Sequence, residues 1–283
     1  MDIQALINEI VGQVSQVEGV SAIVLGGSRA RGTHTAQSDI DLCIYYHPDH
    51  SLDLQALDQV AAEFDDNHQR GILTPIGEWG PWINGGGWLS VHSQPVDFLY
   101  RDLHQVGTVM DACHGGQVEM VYQPGHPYGF VSAIYMAEVA LCQVLWEAKG
   151  QLTALKRKTL PYPSLLKKAL IKKFAWEISF ALGTAKKSIN RTDIAYVAGG
   201  CFRGVMCLLQ VVFALNEQYW LNEKGAVALA DTFRLRPARL RARIEEAFTL
   251  LAAEGDALRA AIAVLEGLQR DLEVLIADEQ LLS

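Results

Sequence analysis

The chain has 283 residues, of which half are hydrophobic and a fifth are charged. This composition excludes a mainly disordered protein, and the length suits two domains of roughly 100 to 200 residues each. A formal net charge of −8 excludes a general attraction to nucleic acid. Residues 149–191 are the exception, because they carry eleven Lys or Arg and a single acid, Glu177, which leaves an anionic partner open.

The apolar runs and the cysteines indicate a soluble protein. The longest strongly apolar stretch, residues 205–215, has eleven residues and includes Gln210. A helix that spans a bilayer needs roughly 20 apolar residues, so we expect a buried helix here. The opening sequence MDIQALINEI has no positively charged leader, and we expect a cytoplasmic protein. The five cysteines lack the paired short spacing of a zinc site, which predicts buried free thiols.

Hydrophobic periodicity predicts an α/β domain over residues 1–125. Its predicted elements are a helix over 3–17, strands over 21–25 and 39–45, a helix over 52–64, a loop over 65–88, and strands over 89–92 and 96–100. The run Gly85-Gly86-Gly87 is difficult to keep inside a strand, so it is assigned to the loop. Ser93-Gln94-Pro95 has the composition of a hairpin connection between the last two strands. These elements predict a small mixed sheet with flanking helices.

After about residue 126 the pattern becomes helical and strand signals disappear. The predicted helices are 128–149, 164–187, 192–219, 223–233, 237–253 and 256–278. We therefore predict an α+β protein in which residues 126–283 form an all-α helical bundle. Apolar residues from Leu258 to Leu275 keep near-heptad spacing for less than three heptads, which fits the edge of a bundle or a homodimer contact.

The segment from Gly26 to Gly32 has the composition of a phosphate-binding turn. A strand that ends in Gly26 and Gly27 and continues through Ser28 into a helix brings backbone N–H groups and a hydroxyl close to an anion. Arg29 and Arg31 add charge-assisted hydrogen bonds to the same phosphates. This pattern predicts a site for the triphosphate of an NTP. The alternative is an ordinary tight turn between a strand and a helix.

Three aspartates are the predicted catalytic and metal-binding residues. Asp39 and Asp41 are two apart in a strand, so their carboxylates project from one face. Two like charges so close favour a bound cation, and Mg²⁺ prefers oxygen ligands that it bridges to phosphates, commonly as two ions. Asp97, between buried positions of a separate strand, is expected to face the pair, hold the second metal and help deprotonate the acceptor. The alternative for Asp97 is a solvated acid on an exposed sheet face.

These residues resemble the signature of the DNA polymerase β-like nucleotidyltransferase superfamily. The matching positions, within residues 20–101, are Gly27 and Ser28, the pair Asp39 and Asp41, and the later Asp97. The type is closest to the small-molecule and antibiotic nucleotidyltransferases that modify aminoglycosides or lincosamides and carry a C-terminal helical domain. The resemblance implies a mixed-sheet core, Mg²⁺, an NTP co-substrate such as ATP, transfer of a nucleoside monophosphate to a hydroxyl of a small acceptor, release of pyrophosphate, and a role in antibiotic resistance.

Two further segments carry functional expectations. The resemblance implies that Glu138, on the first predicted helix of the second domain, is the acceptor-side base, and the alternative is an exposed helical glutamate. Residues 77–88, which include Trp79 and Trp82, are either an aromatic lid over a substrate or a loop packed on the sheet.

Two other functions remain open on the sequence. One is nucleotidyl transfer to a protein or an RNA, which the basic residues 149–191 would favour. The other is a non-catalytic, toxin-neutralising module of the same fold. The intact set of three acids favours catalysis.

Overall fold

A computed structural model describes residues 2–279 of the chain. The chain folds as two compact units: the first comprises Met1–Asp111 and Tyr135–Pro161, and the second comprises Ala112–Ile134 and Tyr162–Ser283. The strands in chain order are β1 (Val20–Leu25), β2 (Ile40–Tyr46), β3 (Gly86–Val91), β4 (Gln94–Asp102), β5 (Met120–Val121), β6 (Phe130–Val131) and β7 (Gln143–Glu147). Together with the helices they confirm the predicted α+β class.

Eleven α-helices and one short 3₁₀ helix, Ile189–Arg191, accompany the strands in the described residues. The α-helices are α1 (Ile3–Val14), α2 (Gly27–Ala30), α3 (Leu54–Phe64), α4 (Leu103–His114), α5 (Ile134–Leu141), α6 (Gln151–Arg157), α7 (Ser164–Lys186), α8 (Ile194–Leu215), α9 (Ala226–Ala230), α10 (Leu240–Thr249) and α11 (Gly255–Asp278). Every helix predicted by periodicity exists at least in part, and, apart from the helix predicted over 128–149, the ends differ by a few residues.

The first unit is built on a five-stranded sheet of order β3-β4-β2-β1-β7. β2 and β4 run parallel, whereas the other neighbouring pairs are antiparallel, so the sheet is mixed as predicted. One face is buried in a core with the apolar stripes of α1 and α3, where Ile10, Ile40 and Leu57 have no exposed surface. Each such side chain contributes about 1.5–3 kcal/mol of transfer free energy. The alternation along β2 therefore leaves Asp41 on the opposite face.

Gly86 and Gly87 of the glycine run lie in β3, so their assignment to the loop is wrong, whereas Gly85 precedes the strand. A Cβ atom on Gly86 would overlap the carbonyl oxygen of Phe98, and one on Gly87 would lie 2.8 Å from the carbonyl oxygen of Ile72. Thr74 donates its backbone N–H to the Gly86 oxygen at 2.9 Å and accepts from the Gly86 N–H at 3.0 Å. Glycine is present because the preceding loop packs directly against the strand.

The predicted hairpin between β3 and β4 is confirmed, but its turn is shorter than predicted. The turn consists of His92 and Ser93, with φ angles of +51° and +63°, and Gln94 and Pro95 belong to β4. Asp66 accepts hydrogen bonds from the backbone N–H groups of His92 and Ser93 at 2.7 and 2.8 Å. The Ser93 hydrogen bond is the main cause of a lowered pKa of Asp66. The turn is therefore closed by a carboxylate outside the hairpin.

The single helix predicted over 128–149 is wrong at both ends, because β6 occupies residues 130–131 and α5 begins only at Ile134. α5 ends at Leu141, and β7 follows as an edge strand antiparallel to β1. A short apolar run fits a strand as well as a helix, and here the open edge of β1 decides between them. The boundaries of the compact units consequently differ from the predicted division after residue 125, because β7 and most of α5 belong to the first unit.

The second unit is predominantly helical, with one small antiparallel pair formed by β5 and β6. In α8, residues 204–215 are all buried, which confirms the predicted buried helix. Within residues 2–279, α8 alone is long and apolar enough to span a membrane, and 72% of its most apolar window is buried in the fold, as in the core helix of a soluble protein. The five cysteines are free and buried, as predicted.

The near-heptad residues of α11 face the inside of the second unit. Leu258, Ile262, Leu265, Leu268 and Leu272 are buried, and α11 packs on α7, α8 and α10. This arrangement matches the edge of a bundle. A homodimer stays a prediction, and it would require a different surface.

Candidate active site

The glycine turn after β1 lies directly against Asp41. The backbone N–H of Gly26 donates to the Asp41 carbonyl oxygen at 2.8 Å. Gly27 has a φ angle of +57°, and a Cβ atom at this position would overlap the Asp41 carboxylate. A residue with a side chain would be both strained and in collision here. The two glycines therefore allow the turn and the acidic strand to meet.

Asp41 and Asp97 are direct partners across the parallel pair of β2 and β4. Their neighbours Ile40, Leu42 and Val96 are buried, whereas both aspartates are half-buried. Adjacent strands are about 4.8 Å apart, and directly paired residues project from the same face. The structure thus places the two carboxylates side by side on the face opposite the core.

The three predicted acids share one electrostatic environment. Burial, together with the negative charges of Asp41 and Asp39, raises the pKa of Asp97 from 3.8 to about 6, and burial contributes most. Mutual repulsion of this kind is relieved by a cation between the carboxylates. Asp39 itself is exposed and immediately precedes β2, so it stands at the open end of the site.

The two arginines of the turn have different surroundings. Arg29 donates from Nη2 to the Ser38 carbonyl oxygen at 2.6 Å and from Nε to the Asp39 carbonyl oxygen at 3.0 Å. These bonds hold the segment that leads into β2. Arg31 has a buried Nε atom with no hydrogen-bond partner in residues 2–279. A buried donor of this kind is costly unless it is satisfied, so Arg31 fits the predicted contact with phosphate better than Arg29 does.

The comparisons with known proteins agree with this geometry. Residues 7–77 match the family model of the Nucleotidyltransferase domain. Over this stretch the sequence is similar to that of nucleotidyltransferase domains. The matched stretch includes the glycine turn, Ser28, Asp39 and Asp41, whereas Asp97 lies beyond it. No curated protein matches the sequence.

Two other similarities concern more of the chain. Residues 130–224 match the family model described as Domain of unknown function (DUF4037). The crystal structure of a nucleotidyltransferase-like protein from Exiguobacterium sibiricum 255-15 is similar at a TM-score of 0.43 and 12% sequence identity, over 96% of this chain and 77% of that chain. The similarity to nucleotidyltransferase domains rests on residues 7–77.

The three predicted acids fit Mg²⁺ in their chemistry. In residues 2–279, as the side chains stand, no group of three or more His, Cys, Asp or Glu is arranged to hold a metal ion. Asp39, Asp41 and Asp97 nevertheless offer oxygen donors, and the charges of Asp41 and Asp39 contribute, after burial, to the raised pKa of Asp97. Hard carboxylate oxygens are the ligands that Mg²⁺ takes. The number of ions stays a prediction.

Glu138 is held by a buried arginine. Arg101 donates from Nε and Nη2 to the two carboxylate oxygens of Glu138 at 2.8 and 2.6 Å. The Arg101 side chain is 2% exposed and that of Glu138 is 17% exposed, so the glutamate is not a freely exposed helical residue. Arg101 follows Asp97 by four positions on β4, which is roughly 13 Å along a strand. That Glu138 acts as the acceptor-side base stays a prediction. The bidentate ion pair with Arg101 gives Glu138 a structural role instead.

One residue was not predicted to lie beside the acids. Trp88 on β3 is the direct partner of Asp97 on β4. Its side chain is 67% exposed and stacks on Trp79, with ring centroids 4.7 Å apart and an interplanar angle of 23°. Tyr135 donates its hydroxyl to the Trp82 carbonyl oxygen at 2.6 Å. The residues before β3 in this aromatic segment therefore form a loop packed on the sheet. That Trp88 lies beside Asp97 follows from the pairing of β3 with β4, which the sequence alone does not show.

The basic residues 149–191 are in part neutralised by acids. Lys158 pairs with Asp111 at 2.8 Å, Lys167 pairs with Glu217 at 3.1 Å, and Lys186 pairs with Glu266. A cavity of about 790 Å³ in the second unit includes Lys173, but none of the predicted site residues lines it. These pairs do not favour a nucleic-acid partner for the basic residues.

Proposed function

We propose that this protein is a magnesium-dependent nucleotidyltransferase that transfers a nucleoside monophosphate from an NTP, ATP above all, to a hydroxyl of a small acceptor and releases pyrophosphate. The observation that carries the proposal is the position of Asp41. Its carboxylate occupies the space that a Cβ atom of Gly27 would take, and the residue is the direct strand partner of Asp97. The phosphate-binding turn, the metal-binding acid Asp41 and the acceptor-side acid Asp97 therefore lie in one row across the sheet.

The glycine turn and its neighbours bind the triphosphate. The Ser28 hydroxyl at the start of α2 and the buried Nε of Arg31 supply hydrogen-bond donors to the β- and γ-phosphates. Arg29 contributes indirectly, because its bonds to the Ser38 and Asp39 carbonyl oxygens position the segment that carries Asp39. Together they hold the leaving pyrophosphate on the β1 side of the acids.

The three aspartates activate the acceptor. Asp39, Asp41 and Asp97 would hold Mg²⁺, which when bound neutralises phosphate charge and lowers the pKa of an acceptor hydroxyl. Asp97, whose pKa is raised to about 6 mainly by burial, is ionised at neutral pH and is a better proton acceptor than an ordinary aspartate. The acceptor oxygen attacks the α-phosphorus, its proton passes to Asp97, and the bond to pyrophosphate breaks.

The acceptor class and the location of the protein are part of this proposal. An antibiotic of the aminoglycoside or lincosamide type as acceptor, and a role in resistance, rest on the resemblance of the motif residues alone. A cytoplasmic location, where NTP and Mg²⁺ are available, agrees with buried free thiols and with the buried α8.

Calorimetric titration tests the nucleotide and metal parts of the proposal. ATP or GTP is titrated with MgCl₂ into the wild type and into Asp39→Ala/Asp41→Ala. Because the acids anchor the metal, we expect magnesium-dependent binding to the wild type and its loss in the variant. Asp49→Ala/Asp256→Ala removes two exposed acids that pair elsewhere, and it is the control with the same net charge. Binding that persists in Asp39→Ala/Asp41→Ala, or that needs no magnesium, would contradict the proposal.

A further inference from the structure

Four features lie in one row across the acidic face of the sheet. The sheet order β3-β4-β2-β1 places Trp88 beside Asp97, Asp97 beside Asp41, and the glycine turn at the end of β1 beside Asp41. Directly paired residues share a face and have Cβ atoms about 5 Å apart. The indole of Trp88 is therefore one strand away from the acceptor-side acid and on the opposite side of the acids from the phosphate-binding turn.

The aromatic surface of Trp88 is held in place by the residues that pack around it. Trp79 stacks on Trp88 at 4.7 Å, and the neighbours of Trp88 in the strand, Gly87 and Leu89, are buried. The loop that carries Trp79 is fixed to β3 by the two hydrogen bonds between Thr74 and Gly86. A planar surface that is already ordered loses little conformational entropy when a ligand stacks on it. Trp88 nonetheless keeps 67% of its surface exposed.

We propose that Trp88, supported by Trp79, is the platform on which the acceptor stacks, and that the acceptor is consequently a hydroxylated ring compound with a flat apolar face. This inference rests on the proposed function. Attacking and leaving oxygens are roughly in line in phosphoryl transfer, so the acceptor enters from the side opposite the pyrophosphate. Pyrophosphate lies at the glycine turn, and Trp88 lies at the other end of the row. A ring on Trp88 presents its hydroxyl substituents to Asp97.

Fluorine NMR of protein labelled with 5-fluorotryptophan tests the platform directly. The chain has six tryptophans, and single Trp→Phe variants assign their resonances. The probes are phenyl β-D-glucoside, which has ring faces, and sorbitol, which has hydroxyls without a ring. Each is added with Mg²⁺ and α,β-methylene-ATP. We expect saturable shifts of Trp88 and Trp79 with the glucoside and none with sorbitol, whereas Trp176, 60% exposed in the second unit, does not move.

Binding of the glucoside to variants provides the matched control. Trp88→Ala is expected to weaken this binding about three- to tenfold, which is the usual contribution of an aromatic stacking contact. Trp88→Phe retains most of the affinity. Trp176→Ala removes an equally exposed indole and leaves the affinity unchanged. Equal affinity of the wild type and Trp88→Ala, or no saturable shift of Trp88 with the glucoside, overturns the inference.

Two further results separate this inference from the proposed function. If α,β-methylene-ATP alone shifts Trp88, and Trp88→Ala weakens binding of this analogue but not of inorganic triphosphate, then the platform binds the nucleobase and the acceptor assignment is wrong. Failure of the proposed function has a different signature, because magnesium-dependent nucleotide binding would then be absent or independent of Asp39 and Asp41.

Discussion

The Gly27 Cβ position and the Asp41 carboxylate occupy the same space, so this glycine and this aspartate can be neighbours only because the glycine has no side chain. Gly27 lies at the turn after β1, and Asp41 lies on the adjacent β2. The contact joins the two halves of the motif that we propose binds nucleotide and metal. Disturbing it should affect stability and nucleotide binding together.

Gly27→Ala is therefore expected to abolish magnesium-dependent binding of ATP and to lower the free energy of unfolding by about 2–4 kcal/mol, from backbone strain and steric overlap combined. Gly150→Ala is the matched control, because Gly150 has a φ angle of +69° and open space around its Cβ position. It should lose only about 1 kcal/mol and bind ATP normally. Urea denaturation and calorimetry make the comparison, and equal behaviour of the two variants would refute the steric argument.

Asp97→Asn should stabilise the metal-free protein while it removes function. The folded-state pKa of Asp97 is about 6, above its ordinary value of 3.8, so ionisation of Asp97 opposes folding. Its contribution to stability is most favourable below pH 4, declines as pH rises through 6, and stays unfavourable at pH 7.5. In EDTA at pH 7.5 the variant should be more stable by about 1 kcal/mol, after discounting for partial exposure.

Thermal melts between pH 4.5 and 8 test whether Asp97→Asn is more stable than the wild type, as this sign requires. The advantage of Asp97→Asn should shrink as the pH falls below 6. Asp66→Asn provides the opposite case, because hydrogen bonds from Ser93, and also from Ser90 and His92, lower the pKa of Asp66. That variant should lose stability at neutral pH. A destabilised Asp97→Asn at pH 7.5 would show that Asp97 has a structural role.

Glu138→Gln should destabilise the first unit by about 3 kcal/mol, because it leaves the buried Arg101 charge without its partner. The second variant, Arg101→Met/Glu138→Gln, removes both charges and should recover most of that loss. Urea denaturation measures both. Glu245→Gln, in the exposed pair with Arg241, is the control and should change stability by less than about 1 kcal/mol.

Activity of the same double variant decides the role of Glu138. A stable Arg101→Met/Glu138→Gln protein that still binds Mg²⁺ and ATP but transfers no nucleotide would support the predicted acceptor-side base. Retained transfer, which we expect from the ion pair, assigns Glu138 to the stability of the first unit.

Glu223 in the second unit should make stability depend on acidic pH. Burial acts to raise the pKa of Glu223, but the His126 side chain, with Nδ1 3.6 Å from the carboxylate, and the hydrogen bond from the Tyr128 N–H at 2.9 Å outweigh burial and lower it. Its stabilising contribution is present above pH 4.5 and is lost as pH falls through the lowered pKa. Glu223→Gln should therefore be less stable than the wild type at pH 7 and similar to it near pH 3. Chemical denaturation at the two pH values measures the difference.

Local patterns in the sequence determined the elements and the first half of the site. Periodicity of 3.6 residues located α1, α3, α7, α8 and α11, and alternation located β2 with Asp41 on the face opposite the core. The glycine turn and Asp41 are close in sequence, so their spacing alone predicted that they belong to one site. Short-range steric and hydrophobic preferences act within such stretches and leave a readable pattern.

Tertiary structure decided which strands pair and in which register. A period of two residues shows which face a side chain takes, but it does not specify its partner across the sheet. For that reason the direct pairing of Asp97 with Asp41 was an expectation, Trp88 beside Asp97 was missed, and β7 was taken for a helix. The ion pair of Arg101 with Glu138 also depends on packing between residues 37 positions apart. Long-range pairing is determined by the burial of the whole sheet, which no single segment encodes.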